Sequence, residues 1–326
     1  MVLRVAYILS FLLLLYSCNK KRTIQNNADL EENPKSQILS KTSLVVLGTV
    51  QDAGYPQIGC SQKCCINQWD LQQKRCVTSL GLIEPVTNSS FLFEATPDIK
   101  LQTKKLSDYI GHDTIEMPNG IFLTHGHIGH YSGLMQLGRE AINAKSVPVY
   151  AMPKLKSYLE NNGPWSQLVE INNIIINPLE NKIQISLSEN LKVEPFLVPH
   201  RAEFTETVGY KIVGPNKTGL FIPDIDKWQK WDTSIEDEIK KVDFAFLDAT
   251  FYKNGEVGNR DMSEIPHPFV EESVERFKSL EASEKAKIYF IHFNHTNPLI
   301  RTKSNEQIEL TKLGFNIAEE GLVIEL

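Results

Sequence analysis

Three of the eight histidines in this chain of 326 residues fall within six positions, at His125, His127 and His130. They follow an apolar segment, residues 120–123, which predicts a buried strand. Side chains two positions apart in a strand point to the same side, so His125 and His127 face one way. His130 returns to that side if a helix begins after Gly129. Converging imidazoles predict a metal site, because neutral imidazole is the commonest metal ligand in proteins.

The N-terminal segment predicts export and lipid anchoring. The apolar run 5–16 is shorter than the roughly 20 residues that a membrane-spanning helix needs, and it has the length of a signal-peptide core. Leu15-Tyr16-Ser17-Cys18 resembles the lipobox of bacterial lipoproteins, which implies that residues 1–17 are a signal peptide and that Cys18 is lipidated. Acyl chains there would hold the protein at the bacterial cell envelope. A plain secretory signal is the alternative.

The rest of the chain divides into a tether and one domain. Residues 18–42 are rich in Asn, Lys, Glu, Ser and Gln and predict a flexible tether, and residues 43–326 predict a single domain. The net charge is −6, and no basic run lies beyond the tether, so we expect no nucleic-acid partner. The expected partners are a small-molecule substrate and, through the lipid anchor only, the membrane.

Apolar segments of strand length alternate with helical segments in the first and last thirds of the domain. Helices are predicted after Pro97, over 131–144 and 154–161, near 226–241, and over 268–282 and 304–313. Closely spaced strands are predicted between 170 and 222. The pattern predicts an α/β protein with two β-rich halves and helices on the outside.

Four cysteines lie near the start of the domain, at Cys60, Cys64, Cys65 and Cys76. Outside the cytoplasm the first expectation is disulfides. A bond between the adjacent Cys64 and Cys65 would be strained, so Cys60 and Cys76 are their expected partners. A structural zinc held by thiolates is the competing interpretation.

Polar residues also follow several apolar segments, where loops beyond strand ends bind ligands in such folds. Any one of them has an ordinary structural explanation, such as a satisfied core histidine or a helix cap, but together they predict a site. These residues are Glu94, His200, Asp224, Asp248, His292 and His295, and His267 adds a further polar side chain at the start of a predicted helix.

The order His-x-His-x-x-His, then His, Asp and a late His, each after a strand, resembles the metallo-β-lactamase family, whose fold is an αββα four-layer sandwich. Segments 47–57, 93–98 and 292–298 are similar to the pyrroloquinoline quinone biosynthesis protein B branch. The resemblance implies a metal ligand set of His125, His127 and His200 for a first metal, His130 and His292 for a second, and Asp224 as the bridge. Asp248, and His267 with Glu272, are similar to elements of the transfer-RNA-processing and phosphodiesterase members.

One position departs from the family pattern, because Gly129 stands where the family has an aspartate that holds the second metal. This departure predicts a second site without that carboxylate. It also predicts that Gly129→Asp would place a carboxylate within reach of the second metal and raise the metal content.

The favoured hypothesis is a hydrolase with one or two Zn²⁺ ions, since zinc lowers the pKa of a bound water from about 15.7 to about 7. Asp224 would bridge the metals, and His267 or His295 would act as proton donor. A non-haem iron oxygenase is the first alternative, because His130, His292 and Asp224 match its two-histidine, one-carboxylate set for Fe²⁺. The branch resemblance also implies oxidative chemistry. A non-catalytic envelope binding protein is the second alternative.

Overall fold

The computed structural model describes residues 38–70, 74–111, 116–201, 203–258, 261–262 and 265–326. Cys18, the predicted signal peptide and most of the predicted tether lie outside these residues. No helix in the described ranges is long and apolar enough to cross a membrane. The described residues belong to one compact unit.

The strands, numbered in chain order, form two sheets of seven strands each within the described residues. The first sheet has the order β14-β1-β2-β3-β4-β5-β6. Its β1, β2, β3 and β14 pair antiparallel, and β3 to β6 pair parallel. Its strands are β1 Ser43–Gly48, β2 Ser79–Glu84, β3 Ser89–Phe93, β4 Gly120–Phe122, β5 Val147–Ala151, β6 Ile174–Pro178 and β14 Val323–Glu325.

The second sheet has the order β13-β12-β11-β10-β9-β8-β7. It repeats the first arrangement, with parallel pairs from β10 to β13 and antiparallel pairs from β7 to β10. Its strands are β7 Ile185–Ser186, β8 Lys192–Leu197, β9 Val208–Val213, β10 Thr218–Ile222, β11 Phe244–Asp248, β12 Ile288–Ile291 and β13 Asn316–Ile317.

Helices cover the outer face of each sheet. The α-helices, also numbered in chain order, are α1 Ile99–Ile110, α2 Ile128–Tyr131, α3 Pro153–Asn161, α4 Trp165–Glu170, α5 Ile235–Lys240, α6 Val270–Phe277, α7 Ala282–Lys285 and α8 Asn305–Lys312. Short 3-10 helices span Ser132–Leu137, Trp228–Lys230 and Pro298–Ile300. The predicted helix over 131–144 is wrong in length, because a 3-10 turn follows α2 and ends before Gly138.

Three apolar layers follow from the alternation of side chains along buried strands. In β1, Leu44 and Val46 pack between the two sheets, whereas Val45 and Leu47 pack against the helices on the first sheet. A third cluster joins the second sheet to its own helices. The order of layers is therefore helix, sheet, sheet, helix, which confirms the predicted αββα four-layer sandwich.

Aromatic side chains fill the space between the sheets behind one edge of the sandwich. Phe93 stacks on Phe122, with ring centroids 5.2 Å apart, and meets the edges of Tyr210 and Phe221. The Tyr210 hydroxyl donates a hydrogen bond to the Leu123 carbonyl across the two sheets. These contacts fix the ends of β3, β4 and β10, and a candidate site residue follows each of them within three positions, namely Glu94, His125 and Asp224.

Candidate metal centre

The histidine-rich turn brings its three rings together, although the strand before it ends at Phe122 and the helix begins at Ile128, earlier than expected. His127 itself is extended, with φ −91° and ψ 148°, and α2 begins at the next residue. The His127 carbonyl accepts a hydrogen bond of 2.9 Å from the His130 N–H, which turns the His130 ring back toward the other two. The ring centroid of His125 lies 4.4 Å from that of His127 and 4.2 Å from that of His130.

Two of these histidines form a set with His200, which follows β8. The His200 ring centroid lies 5.2 Å from those of both His125 and His127. One ligand atom from each of the three lies within 4.8 Å of the others. We call this set the three-histidine site, and its members are the residues that the family resemblance implied for a first metal.

His130 belongs to a second set with His292, which follows β12, and Asp52, in the loop after β1. Asp52 Oδ1 lies 3.2 Å from His130 Nε2 and 3.7 Å from His292 Nε2. We call this set the Asp52 site. Sequence reasoning missed Asp52, although its place shortly after a buried strand is the signal that identified the other ligands.

Asp224 lies between the two sites. Its Oδ2 is 3.0 Å from His130 Nε2 and 3.2 Å from His292 Nε2, both in the Asp52 site. Its Oδ1 is 3.8 Å from His200 Nε2, in the three-histidine site. One carboxylate oxygen therefore faces each site, which is the geometry of a bridging ligand.

The carboxylate that Gly129 lacks is supplied by Asp52. A Cβ atom at position 129 would lie 2.3 Å from Asp52 Oδ1 and 2.6 Å from Asp52 Cα. Asp52 thus occupies the space that a side chain at 129 would need. The expectation that the second site lacks this carboxylate is wrong, and so is the two-histidine, one-carboxylate set of His130, His292 and Asp224, because Asp52 adds a second carboxylate.

The chemistry of these side chains fits divalent metal. Five buried atoms that face the centre make no hydrogen bond of normal geometry within the described part of the chain, and they are Asp52 Oδ1, His125 Nε2, His130 Nε2, Asp224 Oδ2 and His292 Nε2. Leaving such atoms buried and unpaired is costly. A metal ion coordinated by imidazole nitrogens and carboxylate oxygens would satisfy them together.

The electrostatics of the histidines favour the same interpretation. Burial lowers the pKa of His125 well below its usual value and that of His200 to about 4, so both rings are neutral, as metal ligands must be. Burial also acts to lower the pKa of His130, but Glu94 and Asp224 raise it well above its usual value. Metal binding at His130 would therefore displace a proton.

The two carboxyl groups of the centre are ionised. Burial alone would raise the pKa of Asp224, but His292 and His130 hold it well below its usual value. Burial likewise opposes ionisation of Asp52, and the proximity of the same two histidines holds its pKa well below the ordinary value. Both groups thus present the charged form that binds a cation.

Glu94, buried directly after β3, orients two of the histidines. Thr124 Oγ1 donates a 2.6 Å hydrogen bond to Glu94 Oε1 and lies 2.9 Å from His125 Nδ1. Since the hydroxyl proton points to Glu94, the hydroxyl accepts from His125 Nδ1–H, which leaves Nε2 free for metal. His130 Nδ1 lies 3.1 Å from the same Glu94 oxygen.

Asp248, the last residue of β11, repeats this arrangement in the second sheet. Thr250 Oγ1 donates to Asp248 Oδ1 at 2.7 Å and lies 2.9 Å from His292 Nδ1, which leaves His292 Nε2 free for metal. Asp248 Oδ2 lies 2.7 Å from His267 Nδ1. Burial acts to lower the pKa of His267, but Asp248 and Asp224 raise it above its usual value.

Two of these residues have backbone angles that are uncommon outside glycine. Glu94 has φ +75° and His292 has φ +70°, and both are buried. A non-glycine residue in this region costs on the order of 1–3 kcal/mol and persists where the surroundings hold it. At these two positions the backbone conformation turns a buried side chain inward, toward the centre.

The cysteines divide differently from the sequence expectation. Cys60, Cys64, Cys65 and His295 form one cluster, whose ligand atoms lie within 4.8 Å of one another. The four domain cysteines are free thiols, so the predicted disulfides are wrong. The short distances between the ligand atoms favour the alternative, a structural metal. Three cysteines and a histidine are also a common ligand set for structural zinc. We call this cluster the cysteine site.

His295, Cys76 and Glu272 do not take the roles that the sequence suggested. His295 lies in the cysteine site, away from the position of a proton donor, because the loop after His292 turns it toward the thiols. Cys76 is buried apart from the cluster, and burial raises its pKa to about 12. Glu272 accepts hydrogen bonds from the Phe269 N–H and from Lys227, so it caps α6.

Known proteins share this architecture. Coenzyme PQQ synthesis protein B from Acinetobacter baylyi is 23% identical over 304 residues, covering 86% of this chain and 99% of that protein. Its counterpart from Xanthomonas axonopodis is 25% identical over 307 residues, covering 87% and 99%. These two relatives are similar over nearly their full length.

Solved structures of other proteins are similar to this chain in fold. Zn²⁺-bound PqqB from Methylobacterium extorquens has a TM-score of 0.73 and 21% identity, covering 87% of this chain and 100% of that one. A diphosphatase from the PhnP family has a TM-score of 0.63 and 23% identity, covering 88% and 97%. At these identities the likeness establishes the metallo-β-lactamase fold. Residues 89–293 match the family described as the Beta-lactamase superfamily domain, so the chain belongs to the beta-lactamase superfamily.

Proposed function

We propose that this protein is a metal-dependent hydrolase with two adjacent metal positions. The observation that carries the proposal is Asp224, whose two oxygens face the three-histidine site and the Asp52 site respectively. Asp52 restores the carboxylate that the glycine in the histidine motif removes. Paired metals are a common arrangement for stabilising the attacking and leaving oxygens of a hydrolytic displacement.

A divalent metal bound here would lower the pKa of a coordinated water to about 7 and so supply a nucleophile at neutral pH. The residues of the chain would hold the metals and orient their ligands. Asp224 would contact both metal positions and so keep them adjacent. Glu94, through Thr124, and Asp248, through Thr250, fix the ring orientation of the histidines. Such outer contacts keep the ligand nitrogens aimed at one volume.

His267 is the proposed proton donor to the leaving group. Its Nδ1 is held at 2.7 Å by Asp248, and the same nitrogen lies 3.6 Å from Asp224 Oδ1, which places the ring at the edge of the centre. Asp248 and Asp224 favour the protonated ring despite its burial. A protonated imidazole beside the metals is suited to general acid catalysis.

The rim beside His127 is apolar and exposed. Ile128 follows His127 and is 64% exposed, and Phe204 is exposed to the same extent. Phe204 adjoins Glu203, whose carboxylate lies 3.4 Å from His127 Nε2. Exposed apolar side chains beside a polar centre favour a small-molecule substrate with an apolar group next to the scissile bond.

Structural neighbours guide the choice of probe. The PhnP-family protein is named a diphosphatase, and human tRNase Z, short form, has a TM-score of 0.54 with this chain. Both names denote cleavage of phosphate esters or anhydrides, so phosphodiester probes are the first to test. The three-histidine site, with a coordination position left open, fits hydrolytic zinc.

The test compares the wild-type protein with His267→Asn on bis(p-nitrophenyl) phosphate, after loading each with Zn²⁺ or Mn²⁺. The wild type is expected to release nitrophenolate, and the variant is expected to lose about 10²–10⁴-fold in kcat, the usual contribution of a general acid. Metal content is measured in both proteins, because His200, Asp224 and His267 also lie close enough together to hold an ion, and an equal content separates the loss of a proton donor from the loss of a ligand.

Other outcomes identify the alternatives. A wild-type protein inactive on ester and phosphodiester probes, but consuming oxygen when loaded with Fe²⁺, would replace the hydrolase with the oxygenase. A protein that binds metal without any turnover would support the non-catalytic envelope binding protein. An equal kcat in His267→Asn would remove His267 from the mechanism.

We also propose that the protein is anchored at the bacterial cell envelope through Cys18, on the strength of the Leu15-Tyr16-Ser17-Cys18 motif. Cys18→Ala is expected to move the protein from the membrane pellet to the soluble envelope fraction, because a protein without acyl chains has no anchor. Immunoblots of the fractions measure this change. Continued pelleting of the variant would refute the lipid anchor.

A further inference from the structure

Asp52 reaches the metal centre from outside the histidine turn. It sits in a tight turn, residues 51–54, closed by a 2.8 Å hydrogen bond from the Gly54 N–H to the Gln51 carbonyl. The other two members of the Asp52 site, His130 and His292, lie on separate elements. The position of the Asp52 carboxylate therefore depends on what holds this turn, which we call the Asp52 turn.

The segment after His292 holds the first side of the turn. The Gln51 N–H donates to the Phe293 carbonyl at 2.9 Å, and the Asn294 side-chain amide donates to Gln51 Oε1 at 2.7 Å. That segment carries His292 of the Asp52 site at one end and His295 of the cysteine site at the other. It thus connects the two sites and the turn directly.

The cysteine site holds the second side of the turn. Tyr55 follows the turn, and its hydroxyl donates a 2.8 Å hydrogen bond to the Cys64 carbonyl. Tyr55 and Cys65 are buried in one small apolar cluster with Val50, which precedes the turn. The residues on both sides of Asp52 are therefore packed against the segment that carries the cysteines.

We propose that a metal ion in the cysteine site keeps the Asp52 turn in position, so that occupancy of the Asp52 site depends on occupancy of the cysteine site. The cysteine-rich segment, residues 60–65, contains no strand or long helix. Its order thus depends on the bonds that cross-link it, and metal binding is a strong cross-link that couples to folding. A superfamily member with its own carboxylate in the histidine motif would not need this support, whereas Gly129 makes it necessary here.

The inference rests on metal binding at both sites and not on hydrolysis, so it is tested without activity. The experiment loads the purified protein with cadmium and follows the cadmium NMR signals, since thiolate-bound and nitrogen- or oxygen-bound ions resonate in separate regions. His295→Ala is the test variant, and Cys76→Ser, which alters a buried thiol outside the cluster, is the matched control. Competition with a chelator gives the affinity of each site.

In His295→Ala, the thiolate-bound signal is expected to weaken, and the affinity of the Asp52 site is expected to fall by about 10–100-fold, the usual effect of losing support around metal ligands. The three-histidine site should keep its affinity, and Cys76→Ser should match the wild type at every site. Loss of the thiolate-bound ion with an unchanged Asp52 site would overturn the proposal.

A second variant covers the case in which His295→Ala fails to fold. Tyr55→Phe removes the hydrogen bond from the Tyr55 hydroxyl to the Cys64 carbonyl, which connects the Asp52 turn to the cysteine segment, and leaves every ligand in place. Its Asp52 site should weaken in the same direction while its thiolate-bound signal stays at the wild-type value. An Asp52 site of wild-type affinity in this variant would contradict the proposal, because the turn would then hold its position without the connection.

Discussion

Asp224→Asn is expected to remove hydrolytic activity almost entirely and to lower the metal content of the protein to one ion or fewer per chain. The asparagine keeps the shape of the side chain, but it loses the charge and replaces one acceptor oxygen with an amide. Asp224 faces both sites with a separate oxygen, so this one change weakens both. If the metals stabilise the transition state by about 4 kcal/mol less, the rate falls by about 1,000-fold.

Metal analysis by mass spectrometry and kcat/KM on the phosphodiester probe measure the two effects. The midpoint temperature of thermal unfolding should also be lower for metal-loaded Asp224→Asn than for the metal-loaded wild type, because bound metal stabilises the folded state by mass action. Asp226→Asn is the matched control, since the Asp226 carboxylate contacts Lys227 and Lys230 and not the histidines. A variant at position 224 with two bound ions would refute the bridge.

Gly129→Ala is expected to cost one metal ion per chain and to destabilise the fold. The new Cβ would lie 2.3 Å from Asp52 Oδ1 and 2.6 Å from Asp52 Cα, so the Asp52 turn must move away. Overpacking of this kind costs about 1–3 kcal/mol in the free energy of unfolding. The expected loss of metal is opposite in direction to the gain that the sequence predicted for Gly129→Asp, because Asp52 already fills the space beside the glycine.

Denaturant unfolding and metal analysis measure both effects. Gly163→Ala is the control, because a Cβ there meets no described atom within 4 Å. Removing the Asp52 side chain from the Gly129→Ala protein should not restore its stability, because the new Cβ at position 129 would still be too close to the Cα atom of residue 52. A Gly129→Ala protein with wild-type metal content would show that Asp52 is not held against this position.

Local sequence was sufficient to predict the histidine turn. His125, His127 and His130 converge because strand and helix periods place side chains two and three positions apart on one side, and those periods are local properties of the backbone. Asp224 and His292 were predicted for a related reason, since each follows an apolar segment that could be recognised as a strand. The alternation of these segments also predicted the layers of the fold.

Only the tertiary structure decided which groups complete each site. Asp52 meets the histidine turn because the loop after β1 packs against α2, across a separation of 77 positions between Asp52 and Gly129. His295 joins Cys60, Cys64 and Cys65 for a similar reason, while Cys76 lies apart. The periodicity of the sequence predicts on which face of its own helix or strand a residue lies. Whether two loops contact each other depends on how the helices and strands pack. That packing is a property of the whole core, and no single segment contains it.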